Sequence, residues 1–240
     1  GISKWTLSGN TINLSSTSTP SVTVSSSTAT ILSSLSSPQG LVKRGSSTLI
    51  LSGNNSFSGN ITIGSSSSAG GIVVMASSNA LNGGTIRVTS NSGYPPGSSV
   101  HLSGNITVTN RIYSSGGGID NEGILRNISG TNTLTGNITL TGGGGGSAYQ
   151  SDTGTLWISG NISADNTLRS ITLQGAGDIG ISGTIANGTT VALPLTKNGT
   201  GTLTLAGANT YGGNTTVNGG TLYINNASGS GTGTNNLLTV

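Results

Sequence analysis

The sequence predicts an all-β solenoid of about ten coils built from short strands, and three observations predict it. Short alternations of aliphatic and hydroxyl residues recur from end to end, and Gly- and Asn-rich turn signals separate them. No window carries apolar residues at helical spacing, and the commonest residues, Gly, Ser, Thr and Asn, are weak helix formers. A mainly helical fold is excluded.

The strands follow in order. The predicted segments are TLIL at 48–51, ITI at 61–63, TIRV at 85–88, ITV at 106–108 and ITL at 138–140, then TLWI at 155–158, SITL at 170–173, TLTL at 202–205 and TLYI at 221–224. In each, aliphatic side chains take one face and Thr or Ser much of the other. The glycines of the SGN-like motifs stand at Gly9, Gly59, Gly104, Gly136, Gly160 and Gly183, and the last two intervals are 24 and 23 residues. Such a spacing suits one solenoid coil. A β-sandwich also turns often, so spacing alone leaves both open. With two Trp, five Tyr and one Phe, a narrow interior of stacked Ile, Leu and Val, with Asn and Ser ladders at the turns, fits better.

Laid on itself at an offset of 154 residues, the chain shows a true internal repeat. LVKRGSSTLILSGNNSFSGNITI at 41–63 meets LTKNGTGTLTLAGANTYGGNTTV at 195–217 without a gap, with 11 of 23 positions identical. The paired positions are Lys43/Lys197, Gly45/Gly199, Leu49/Leu203, Leu51/Leu205, Gly53/Gly207, Asn55/Asn209, Phe57/Tyr211 and Gly59/Gly213. Each copy turns at Gly, runs one alternating strand, turns at Gly-x-Asn, places an aromatic, turns again and runs a second strand. An isolated copy could not bury its apolar face, so it needs stacked neighbours.

The stretch 195–233 closely resembles the autotransporter-associated β-strand repeat of passenger regions in bacterial type V secreted proteins, with 171–188 as its lead-in and 41–88 as a more diverged copy. The resemblance implies a right-handed parallel β-helix outside a Gram-negative-type cell, exported through a C-terminal β-barrel. Neither a barrel nor a signal peptide is read in residues 1–240, which are expected to form a single β-helical passenger-like domain.

Composition narrows the chemistry. Only 5% of residues are charged and Ser plus Thr number 76, yet Leu, Ile, Val and Phe sum to 55 of 240, enough for a thin folded core. With no Cys and one His, thiolate metal sites and disulfides are impossible and zinc has few ligands. The eight basic residues are scattered singly, without the clusters that nucleic acid requires. No apolar run is long enough to span a membrane as a helix.

Gly175-Ala-Gly177-Asp-Ile-Gly180 matches a dinucleotide fingerprint, but ISGTIA follows where a helix should open. Asp120 and Glu122 share a face if their segment is extended, as acid and base pairs do. Asp152, Asp165 and Asp178 are spaced by 13, which scatters them around a coil near 23. His101 reads as an exposed strand-end residue, and Tyr94-Pro95-Pro96, 116–118 and 142–146 as loops. Tyr113, Tyr149, Trp157 and Tyr223 read as core or turn-stacking residues ahead of sugar platforms. Thr-x-Thr pairs occur at intervals too irregular for an ice-binding face. Eleven Asn-x-Ser/Thr sequons occur, a number that composition nearly explains, so SGNIT and its variants mark coils.

The expected function is a non-enzymatic extracellular stalk or adhesive surface with no cofactor or metal. Its expected partners are host or neighbouring-cell surfaces, glycans, or further copies joined end to end as a filament. Polysaccharide binding or cleavage stands third.

Overall fold

The computed structural model describes residues 4–65, 67–90, 97–142, 146–165, 167–189, 192–234 and 237–240. Tyr94-Pro95-Pro96 and the centre of the 142–146 glycine run lie outside the described residues. All nine predicted alternations are strands or contain one. Their inward residues are buried and most outward Thr and Ser are half-buried, as the two-residue period dictates.

The expected parallel β-helix is the fold observed, with about nine turns. Its first face stacks eleven strands from Lys4–Leu7 to Leu238–Thr239, and its second stacks eight from Ser21–Thr23 to Ile185–Ala186. A third face comes in two parts, three strands from Ile12–Asn13 to Ser56–Phe57 and six from Thr107–Val108 to Thr221–Ile224. The chain visits first, third and second face in turn, so each strand hydrogen-bonds in parallel to the one a turn away.

In-register stacking builds the core as columns. On the first face Leu49, Val73, Val100, Leu125, Tyr149 and Leu173 follow one another inward, and on the second Leu41, Ile61, Ile86, Ile112, Ile138, Ile162 and Ile185 do the same. Each fully buried aliphatic contributes roughly 1.5–3 kcal/mol. Polar interior positions concentrate at corners, where Ser114, Ser115, Asn127, Asn132, Ser147 and Ser151 are buried. Turn length varies. Leu41 pairs with Ile61 and Leu195 with Thr215, turns of 20 residues, whereas Ile72 pairs with Ser99, a turn of 27.

Candidate functional site

The sixteen repeat positions build one kind of corner, twice. Lys43 Nζ, although its side chain points into the core, donates to the carbonyls of Arg44 (2.8 Å), Gly45 (2.9 Å) and Gly70 (2.8 Å). Lys197 Nζ donates in the same way to Asn198 (2.9 Å), Gly199 (2.9 Å) and Gly219 (3.1 Å). An ammonium has three donors, and here all three are used. Burial lowers both, taking Lys43 to about 8; for Lys197 the nearby Asp178 carboxylate pulls the other way.

Asn55 and Asn209 each tie three successive turns together. Asn55 Oδ1 accepts the Leu35 N–H (2.7 Å) from the turn before, and its Nδ2 donates to the Ala80 carbonyl (2.7 Å) of the turn after. Asn209 repeats this with the Ile185 N–H (2.8 Å) and the Gly231 carbonyl (2.6 Å). Leu49, Leu51, Leu203, Leu205, Phe57 and Tyr211 are all buried. Gly45 and Gly199 take φ of 79° and 78°, a left-handed conformation that only Gly adopts freely. Gly53 and Gly207 lie so close to the Ser33 and Gly183 carbonyls that a Cβ would collide with them, and Gly59 and Gly213 are as tightly placed.

The two copies do not share a face. Copy one starts on the second face at Leu41–Arg44 and continues through Thr48–Leu51 on the first. Copy two starts on the first at Leu195–Lys197 and continues through Thr202–Leu205 on the third. Each closes a full turn by pairing its end with its own beginning. The copies are therefore set a third of a turn out of phase.

A polar network covers the outside of the first face. Arg126 Nε binds both carboxylate oxygens of Asp152 (3.1 and 2.9 Å), and its Nη1 binds Glu122. Gln150 donates to Asp152 (2.7 Å), and Gln174 donates to Gln150 (2.8 Å) and to the Asn121 carbonyl (2.8 Å). Here one expectation is corrected. Asp120 and Glu122 do not share an extended segment, because Ile119–Asn121 is a 3-10 turn in which Asp120 and Asn121 take φ of 54° and 59°. Beside the network a polar trough of about 380 Å³ is lined by Asn121, Ser170, Thr172, Gln174 and Asn198.

His101 is also placed differently from its reading. It sits half-buried within Ser98–Ser103, paired in register with Arg126, and burial, then the Arg126 charge, push it down to about 4. It is a neutral imidazole beside a cation, and no hydroxyl nucleophile is hydrogen-bonded to it among the described residues. Asp152, Asp165 and Asp178 fall after the first-face strand, after the second-face strand and on the third face, scattered as expected. Among the described residues no three His, Asp or Glu side chains converge as a metal site, and no helix is long and apolar enough to cross a membrane.

Gly175 and Gly180 belong to the strands Ile171–Gly175 and Asp178–Ile181, with no helix between, and the Trp157 indole lies where a Gly180 Cβ would be. Tyr149 is core, its hydroxyl on Ser114 Oγ (2.8 Å). Thr columns do form on the third face, Thr107 on Thr133 and Thr131 on Thr155, but Trp157 and Asp178 interrupt them. The recurring Asn is a corner device: Asn105, Asn137 and Asn161 use Oδ1 to accept the N–H of Thr131 (2.7 Å), Asn161 (3.0 Å) and Thr184 (2.9 Å) one turn on. Sequence reasoning missed the stack of Arg87 and Arg111 over Tyr113 and the Glu122–Arg126–Asp152 cluster. Each joins residues some 26 apart, which only the register of the turns brings together.

Residues 41–66 and 195–224 match the passenger-associated-transport-repeat family. The chain is similar to the Adhesin BmaC autotransporter of Brucella suis biovar 1 (strain 1330), 34% identical over 151 residues, covering 58% of this chain and only 4% of that protein. No solved structure matches. The lead-in at 171–188 and the extension to residue 88 fall outside the matched family segments. The chain thus carries two passenger-associated-transport-repeats, each closing one turn of a parallel β-solenoid and each starting on a different face.

Proposed function

We propose that residues 1–240 act as a single β-helical passenger segment of a bacterial cell-surface or secreted autotransporter-like protein, a non-enzymatic stalk that presents an adhesive surface. The observation that carries this reading is the uninterrupted parallel ladder of the first face, from Lys4–Leu7 to Leu238–Thr239. A stack in which every turn is hydrogen-bonded to the next is a stiff spacer, and its turns of 20 to 27 residues let loops vary without breaking it. Both passenger repeats and the adhesin-named relative agree with it. The non-enzymatic part rests on the acids, since Glu122 and Asp152 share Arg126 and Asp165 pairs with Arg169.

Beads coated with the purified chain should attach to an epithelial monolayer several-fold above albumin-coated beads, and solution scattering should give a rod about 50 Å long from ten steps of ~4.8 Å. Attachment at the albumin level would end the adhesive reading. A rod that lengthens with concentration would favour a filament subunit instead, and release of reducing ends from polysaccharide would overturn the non-enzymatic one.

A further inference from the structure

The fold distributes its few charges unevenly. Of the eight basic side chains, Lys43 and Lys197 are turned inward and saturated by carbonyls. Arg126 is held by Glu122 and Asp152, and Arg169 by Asp165. Among the described residues no carboxylate forms an ion pair with Arg44, Arg87 or Arg111. Arg44 and Arg87 lie on second-face strands, Leu41–Arg44 and Ile86–Thr89, and Arg111 enters another, Ile112–Ser115. The unneutralised cations therefore gather on the outside of one face.

Two of them are held in place. Arg87 pairs in register with Tyr113, and its guanidinium stands 4.3 Å from the ring centre; that of Arg111 stands 5.1 Å from the same ring. Cation–π contact on a β-strand scaffold fixes both forks before any ligand arrives, which lowers the ordering cost of binding. A free guanidinium fork matches the two oxygens of a carboxylate or sulfate.

Next to Arg111 lies a trough of about 290 Å³ lined by Asn137, Thr139, Asn161, Ser163 and Thr184. Asn137 and Asn161 spend Oδ1 on backbone N–H groups of the following turn, so each keeps its Nδ2 as a donor. Two amide donors and a row of hydroxyls beside a pair of cations match a sugar ring bearing an acidic group. A peptide would need apolar anchor pockets. A nucleic acid would need open aromatic faces for its bases, whereas Tyr113 is already occupied by guanidinium.

We propose that Arg87 and Arg111, braced by Tyr113, together with the Asn137–Thr139–Ser163 trough, form a binding site for an acidic polysaccharide bearing carboxylate or sulfate groups. The site rests on the adhesive reading only for its purpose, because its chemistry can be tested on the isolated chain.

Immobilised heparin serves as the probe, with neutral dextran as control, and binding is followed by interferometry across a salt series. The whole chain should bind heparin and not dextran, with affinity falling as salt rises. Arg87→Gln with Arg111→Gln should weaken binding roughly tenfold or more, as loss of charge-assisted hydrogen bonds does. Lys4→Gln, the same charge change on the first face, should leave binding within about twofold. Thr139→Val with Ser163→Ala should weaken heparin binding several-fold and leave inorganic polyphosphate binding unchanged.

Equal losses from Lys4→Gln and the arginine pair would overturn the site, as would absence of heparin binding. Polyphosphate or single-stranded DNA competing as well as heparin, with Thr139→Val and Ser163→Ala silent, would make the face a general polyanion patch and overturn the sugar assignment. Bead attachment without heparin binding would sink the site and leave the adhesive reading standing; heparin binding without attachment would do the reverse.

Discussion

The two passenger repeats share their corner contacts and differ in where those contacts point. In copy one the buried Lys43 belongs to the second face, and in copy two Lys197 belongs to the first, yet each ammonium meets three carbonyls and each Asn bridges the turns on either side. The motif therefore specifies how a turn closes and leaves open which face it starts on. Three faces of near-equal width make this possible, because a corner of given local geometry finds the same surroundings at each. The turns between the copies are longer, and they use their added residues for the outward polar network and the 116–124 loop instead of a tighter closure.

The strongest way to break this comparison is to remove the bridging amides. Asn55→Leu strands the Leu35 N–H and the Ala80 carbonyl, and Asn209→Leu strands the Ile185 N–H and the Gly231 carbonyl. With about 1–3 kcal/mol for each unsatisfied buried group, either change should cost roughly 2–5 kcal/mol. Amide exchange at Leu35 and at Ile185 should quicken by about 30-fold or more, each only in its own variant. If one copy is sensitive and the other is not, the corner depends on its face after all.

A pH titration separates the repeats from the turns between them. His101 has its folded pKa pushed down to about 4 by burial and by Arg126, against an unfolded value of 6.5. Its neutral form therefore contributes stability that is fully present above pH 6.5 and lost as pH falls from 6.5 to 4, because there the unfolded chain takes up a proton that the fold refuses. The loss should be about 2 kcal/mol after allowance for partial solvent access. His101→Gln should flatten this acid limb in urea unfolding, and wild-type exchange protection should fall around Ser98–Ser103 while that around Asn55 and Asn209 holds. Identical pH profiles for the two proteins would remove His101 from the account.

Much of the fold was legible because a two-residue alternation and Gly-Asn corners are local signals. TLIL at 48–51 and TLTL at 202–205 declare their buried faces without help from the rest of the chain. The repeat was legible by overlaying the sequence on itself, but its change of face was not, since phase is the sum of every intervening turn length and those lengths are irregular. The outward cluster of Arg87, Tyr113 and Arg111 was hidden for the same reason: a slip of one residue between Ile86–Thr89 and Ile112–Ser115 would part Arg87 from Tyr113. Half-burial of His101 and the tight turn at Asp120 were illegible too. The first depends on neighbouring turns, and the second on Asp120 and Asn121 taking a conformation that L-residues seldom adopt.

The finest difference between the copies supplies the smallest effect. Where copy one has Phe57 and Ile61, copy two has Tyr211 and Thr215, and the Tyr211 hydroxyl meets Thr215 Oγ1 at 2.8 Å in a buried site. A buried phenol needs a partner, so the two replacements belong together. Tyr211→Phe alone should cost about 1 kcal/mol, since Thr215 Oγ1 would keep only its 3.5 Å contact with the Thr232 carbonyl. Thr215→Val alone should cost a similar amount by orphaning the phenol. The double variant restores the apolar pairing of copy one and should return to within about 0.5 kcal/mol of the parent, a coupling of roughly 1 kcal/mol by a double-mutant cycle in urea. Additive losses would mean that the hydroxyl pair is not what distinguishes the copies, and that the cavity around Tyr211 has been shaped by the face on which it sits.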